Sequence, residues 1–391
     1  MAGRFAPRLI EGMVRLGTWM PFDQVPDLLA FFTGVRVDGE TVRRLTEGAG
    51  AALVAVEDAV VARLEREMPA SPRGPAVQQL SADGAMVPLV GGVWAEVKTL
   101  AIGTVEQQTN GAVHTTALSY CSRLTDAREF ARVARGETHR RGTETAGVVC
   151  AVQDGALWLQ ELIALHRPDA VRILDFPHAV QQISAVGQAV WGAGSAQAAA
   201  WLDHQCHTLK HDDPDDVLAA IRAVPVGKAA VPAQAAAVRD AALGYLESRR
   251  AQIAYAAFQQ AGYPIGSGIV ESANKLVVEA RLKGSGMHWA RGNVNGMVAL
   301  RALACSQRWA EGWAAILCHW QQERTARRAA RSRTIPLPVI APPERPSPAP
   351  VVAPHRRAKR RLVVNGRPTP DHPWRRRFLP PRPRSASRAK S

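Results

Sequence analysis

Paired cysteines are missing from this sequence. Its five cysteines, Cys121, Cys150, Cys206, Cys305 and Cys318, are odd in number, scattered, and nowhere arranged as C-x-x-C. That excludes a disulfide framework and points to a reduced compartment. Long apolar runs are missing too. The longest uncharged stretch, 179–202, is punctuated by Gln181, Gln182, Ser184, Gln188, Ser195 and Gln197, so it reads as a pair of Ala-rich soluble helices and not a membrane span. The opening segment MAGRFAPRLIEGMVRLG is broken by charges and lacks the apolar centre of a secretory signal. A cytoplasmic protein with no membrane partner is expected.

Acidic residues are scarce in one region. From Arg324 to Ser391 there are 19 lysines and arginines against only Glu344 and Asp371, while the rest of the 391-residue chain carries 30 basic and 32 acidic residues. A near-neutral body therefore ends in a tail that holds the whole +15 excess, which points to a polyanionic partner, most simply nucleic acid. The densest basic cluster, Arg356, Arg357, Lys359, Arg360 and Arg361, is a candidate for phosphate contact. Fourteen of the 27 prolines lie beyond Arg333, and a basic, Pro-rich segment without periodicity is expected to be disordered over 324–391.

The body divides by pattern. Residues 1–68 read as a helical module. Phe22, Val25, Leu28, Leu29 and Phe32 form an apolar stripe, Gly34 stops it, and Thr41–Leu45 restarts a helix with Arg43 and Arg44 outward. That pattern is compatible with a helix-turn-helix setting both arginines on phosphates, or with a plain helical hairpin. Pro69–Pro75 is a linker. Strand patterns follow: 76–83 leading to 87–89, then 93–105 and 113–121. A helix over 126–135, a strand over 147–152, a helix over 156–165 and a strand over 171–174 come next. Residues 76–176 thus read as an α/β layer with a mixed sheet. Strand signals vanish over 177–262, an all-helical insertion, and the α/β pattern resumes over 263–323.

Several carboxylates stand where a sheet would collect functional groups. Asp83 ends the first strand run, Asp154 the fourth and Asp175 the fifth, and Glu271 lies on the first turn of the helix opened by Ile265-Gly-Ser-Gly268. Converging carboxylates repel unless cations sit between them, and the natural guests are Mg2+ or Mn2+. Each has a plainer reading. Asp83-Gly84 and Asp154-Gly155 are turn pairs, Asp175 caps a helix, and Glu271 pairs with Lys275 four residues on.

The strings DGAMVPL at 83–89, EVK at 96–98, DGALWL at 154–159, ILDFPHA at 173–179, YPIGSGIVESANKLVVEARLKGSGMHW at 263–289 and DHPWR at 371–375 resemble DDE insertion-sequence transposases of the ISKra type. So do the N-terminal MPFDQ, TGVRV and TVRRLTE strings. The resemblance implies a ribonuclease H-like core interrupted by the helical insertion. It also implies cleavage and joining of transposon ends to target DNA with two Mg2+ or Mn2+ ions, by a homo-oligomer working at the nucleoid. Carried over to this chain, the first carboxylate is Asp83 and the third Glu271. The second lies between Asp154 and Asp175. Strand counting favours Asp154, because in the implied fold that carboxylate follows the fourth strand. Asp175 then begins a D-x-x-H string with His178, an auxiliary pair. The resemblance leads one to expect a longer N-terminus with further cysteines, so a transposase-derived DNA-binding protein without catalysis is the second function class. A metal-dependent nuclease is the third.

Two further groupings stand out. Trp289 with Arg281, Lys283 and Arg291 reads either as a stacking and phosphate surface, to which Lys275 would add, or as an aromatic packed beneath a loop. His204, Cys206, His207 and His211 contain a pair at helical i, i+4 spacing, but with no paired cysteines nearby they read as a chance cluster.

Overall fold

The computed structural model describes residues 5–109, 111–284 and 286–334, together with 363–364 and 367–368. The chain forms two units, 1–332 and 333–391. In the second, β6 (Val363–Val364) pairs antiparallel with β7 (Arg367–Pro368). The basic cluster at 356–361 and the DHPWR string lie outside the described residues.

Three helices open the first unit: α1 (Pro7–Trp19), α2 (Val25–Thr33) and α3 (Gly39–Glu67). Gly34 ends α2 in a left-handed conformation (φ 70°) that a side chain would strain. Asp38 caps α3 by accepting the Thr41 N–H at 2.6 Å. The α3 helix runs unbroken for 29 residues and buries Val42, Thr46, Ala49 and Leu53. Phe32, expected in the apolar stripe, is 76% exposed beside Phe31, because only Val25 and Leu29 of α2 face the core.

The strands are β1 (Val77–Pro88), β2 (Trp94–Gln107), β3 (Val113–Arg123), β4 (Val148–Gln153) and β5 (Val171–Leu174). They form one five-stranded mixed sheet in the order β3-β2-β1-β4-β5. β1, β2 and β3 form an antiparallel meander, whereas β4 runs parallel to β1 and β5 parallel to β4. The parallel pairings require crossovers, supplied by α4 (Ala127–Arg140) and α5 (Leu157–His166). Both helices cover one face, where Leu80, Leu100, Ile102 and Val149 pack with Phe130, Leu159 and Leu162.

The opposite face carries two clusters. Cys150, Val152 and Ile173 pack beneath α6 (Phe176–Trp191), α7 (Ala196–His211), α8 (Pro214–Ala223), α9 (Pro232–Glu247) and α10 (Tyr255–Gln260). No strand interrupts 177–262. Ala85, Val87 and Val97 pack beneath α11 (Gly268–Ala273), a π-helical segment (Asn274–Glu279), α12 (Ala280–Leu282) and α13 (Arg291–Cys305). The final helix, α14 (Trp309–Thr334), passes through Arg324, so the tail expected to be disordered from 324 is helical as far as 334.

The N-terminal helices share a core with α13 and α14, where Met13, Val14, Leu29 and Leu53 meet Leu300, Leu303 and Trp313. Gly50 and Gly296 let α3 and α13 cross backbone to backbone, since a Cβ on Gly50 would lie 2.7 Å from the Gly296 main chain. Among the described residues no helix is long and apolar enough to cross a membrane.

Candidate functional site

Asp83 does not end a strand. It sits in the middle of β1, opposite Thr99 of β2, and the Asp-Gly pair makes no turn. Gly84 serves the neighbouring strand instead, since a Cβ there would collide with the Glu96 carboxylate. Asp83 Oδ1 accepts the Gly84 N–H at 2.7 Å, and Oδ2 accepts from Asn274 Nδ2 at 2.9 Å. Burial above all raises the Asp83 pKa, and the negative charge of Asp154 raises it further against the pull of those two hydrogen bonds.

Asp154 follows β4, which lies beside β1 in the sheet, and its Oδ1 accepts the Ala156 N–H at 2.9 Å. The loop is held from the insertion. Tyr245 of α9 donates its hydroxyl to the Asp154 carbonyl at 2.6 Å, and Arg249 donates to the Gly155 carbonyl at 3.0 Å while stacking on the Tyr245 ring.

Asp175 follows β5 and is wholly buried. It accepts the Ser267 N–H at 2.6 Å and His178 Nδ1 at 2.8 Å, while the Phe176 N–H reaches the Ile265 carbonyl at 3.0 Å. The carboxylate thus joins the start of α6 to the start of α11. Burial works to raise its pKa, but the hydrogen bonds from His178 and Ser267 outweigh it and leave the value below the ordinary one. The same bond to Asp175, followed by the charges of Asp175, Asp154 and Asp83, raises the pKa of His178 against its partial burial. Asp83, Asp154, Asp175 and His178 therefore form one electrostatic group at the ends of β4 and β5 beside β1.

Glu271 stands apart. It is exposed on α11. Among the described residues no three His, Cys, Asp or Glu side chains close on a point that would hold a metal ion. The residue that reaches Asp83 from this helix is Asn274, one turn beyond Glu271, which sequence reasoning passed over. Its i, i+3 spacing from Glu271 was the available signal.

The basic candidates separate into buried, paired and open. Arg281 is 2% exposed, donates to the Gly17 carbonyl at 3.1 Å and lies over the rings of Phe22 and Trp289. Burial, with help from the charge of Arg301, pushes its pKa down to about 10. Trp289 is buried edge-on against Phe22. Both residues hold the N-terminal helices to the core, so the packing alternative applies to them and not the stacking surface. Arg43 is tied to Glu40 and Glu47, and Lys283 to Glu279. Arg44, Lys275 and Arg291 are exposed. In the insertion the His207 and His211 rings lie 4.7 Å apart, without a third ligand among the described residues.

Compared with known proteins, the chain matches no protein-family model, and no curated protein matches its sequence.

Proposed function

We propose that the chain is a DDE-type DNA transposase with a ribonuclease H-like core, which cleaves and joins the ends of an insertion sequence using Mg2+ or Mn2+. The observation that carries this reading is the meeting of Asp83, from the middle of β1, with Asp154, from the end of the adjacent parallel strand β4. A buried carboxylate whose ionisation is opposed by a neighbouring negative charge suits a hard divalent cation. The donor set fits such a guest, because Asn274 Oδ1 is buried beside Asp83 with no hydrogen-bond partner. Bound cations would supply stabilisation of the attacking and leaving oxygens of a phosphodiester.

The chain's own residues do the rest. Asp83 and Asp154 would hold the cations, and Tyr245 with Arg249 fixes the loop that presents Asp154. Asp175 orients His178 and favours its protonated form, which places a positive charge beside the incoming phosphate. Glu271 is the third carboxylate of this reading, carried one turn before Asn274. Arg44, Lys275, Arg291 and the basic tail hold the DNA backbone, and the protein acts as a homo-oligomer on transposon ends and target at the nucleoid.

The exposed position of Glu271 favours a second reading, a transposase-derived DNA-binding protein without catalysis. The test uses a donor plasmid carrying the coding sequence with its flanking DNA, a target plasmid, and Mg2+ or Mn2+. Joined products that vanish with Asp83→Asn and Asp154→Asn support the transposase. Binding without cutting supports the second reading, and cutting without joining identifies a nuclease.

A further inference from the structure

The helix that approaches Asp83 changes its winding at the point where the two meet. α11 is regular to Ala273, and from Asn274 to Glu279 the chain adopts π-helical pairing. Such segments are rare and concentrate at functional sites, because the widened turn gives up good hydrogen-bond geometry and redirects side chains. Here Val277 and Val278 fall into the core under β1 and β2, while Asn274 turns toward β1 and is only 6% exposed.

One end of that amide is used. Nδ2 donates to Asp83 Oδ2 at 2.9 Å. The other end, Oδ1, is buried and accepts nothing. A buried acceptor without a partner is costly, and native proteins retain one where a ligand or ion answers it. The amide meets the Asp83 carboxylate, and the charge of Asp154 adds to the burial that raises the Asp83 pKa. An amide oxygen and carboxylate oxygens together make the coordination chemistry of a hard divalent cation.

We propose that Asn274 is an oxygen ligand of the divalent cation held by Asp83 and Asp154. The assignment rests on the metal-dependent reading above and adds a donor to it. Without metal, the amide presents Nδ2 and offsets the charge of Asp83. A cation at Oδ1 would answer the orphaned acceptor while Nδ2 keeps its hydrogen bond to Asp83. The orphaned oxygen and the altered helical winding then have one explanation.

The test is Mn2+ binding to the full chain without DNA, followed by electron paramagnetic resonance and by the rise in melting temperature on adding Mn2+. Wild type should bind in a manner abolished by Asp83→Asn. Asn274→Ala should weaken binding about tenfold, as for other lost supporting groups of a metal site, and Asn274→Asp should bind as tightly as wild type or more so. The Asp variant should also melt earlier without Mn2+ and gain more on its addition, because the cation relieves a new repulsion. Should Asn274→Ala fold poorly, the Asp variant decides alone: affinity clearly below wild type overturns the assignment. Wild-type affinity in Asn274→Ala, with Asp83→Asn still inactive in binding, overturns it as well. Mn2+ binding indifferent to both Asp83→Asn and Asp154→Asn overturns the underlying metal-centre reading instead.

Discussion

Replacing Asp175 by alanine should cost far more stability than replacing Asp154. The buried Asp175 carboxylate accepts a backbone N–H at 2.6 Å and the His178 ring at 2.8 Å. Hydrogen bonds to a charged group contribute about 1.5–3 kcal/mol each, and the alanine variant also strands the Ser267 N–H. Relief of the burial penalty returns part of that, leaving a net loss of about 3–5 kcal/mol, as for other broken buried pairs. Asp154 is half-buried and its side chain makes one local bond, to Ala156 N–H, worth about 1 kcal/mol by analogy with a helix cap. Urea titrations followed by circular dichroism should therefore show a large drop in midpoint for Asp175→Ala and a small one for Asp154→Ala. Activity should show the reverse order, with Asp154→Asn dead in cutting and joining yet folded and able to bind DNA. Equal midpoints, or an Asp175→Ala variant within about 1 kcal/mol of wild type, would refute the anchoring role. Asp175 would then become the better candidate for the second carboxylate.

Trp289→Ala should lower stability by about 3–5 kcal/mol, as for other large-to-small core changes, and a DNA-affinity loss without that destabilisation would restore the base-stacking role. The His178 pKa is raised from its ordinary 6.5, so the stability it contributes is complete below that pH and is lost as pH climbs through the folded value. Asp175 is shifted the other way from 3.8, so its contribution is complete above that pH and is lost as pH falls through its folded value. The melting-temperature gap between wild type and His178→Ala should thus be widest between about pH 4 and 6.5 and narrow at higher pH as the folded imidazole loses its proton, and a constant gap would contradict it. Deleting 335–391 should weaken binding to every DNA tested and flatten the dependence of log affinity on log salt, by about 0.9 for each duplex phosphate that is no longer neutralised. An unchanged slope would place the basic face elsewhere.

The parallel strands were legible because a strand buried on both faces is a short apolar run between turn signals. Val171–Leu174 spans the expected residues, and β4 is displaced by one. Asp154 and Asp175 were legible for the same reason, since each stands where such a run gives way to a turn or a helix. Asp83 was misplaced because Asp-Gly is a turn signal only when no partner strand claims it, and here β2 pairs straight through it. Arg281 and Trp289 misled differently. A cation, an indole and neighbouring glycines look like a nucleic-acid surface until Gly17 and Phe22, which come from the opposite end of the chain, close around them. Asn274 offered only its i, i+3 spacing from Glu271, because nothing local shows that one end of its amide has no partner.

The crossing of Gly50 and Gly296 has a consequence for the ribosome. The inner face of α3 is finished only when α13 arrives, roughly 250 residues later. At translation speeds of about 5–20 residues per second, that is a wait of about 12–50 seconds. Throughout it Val42, Ala49 and Leu53 have no α13 to cover them, so the first helices made are among the last to reach their final packing, and they offer chaperones a waiting apolar surface.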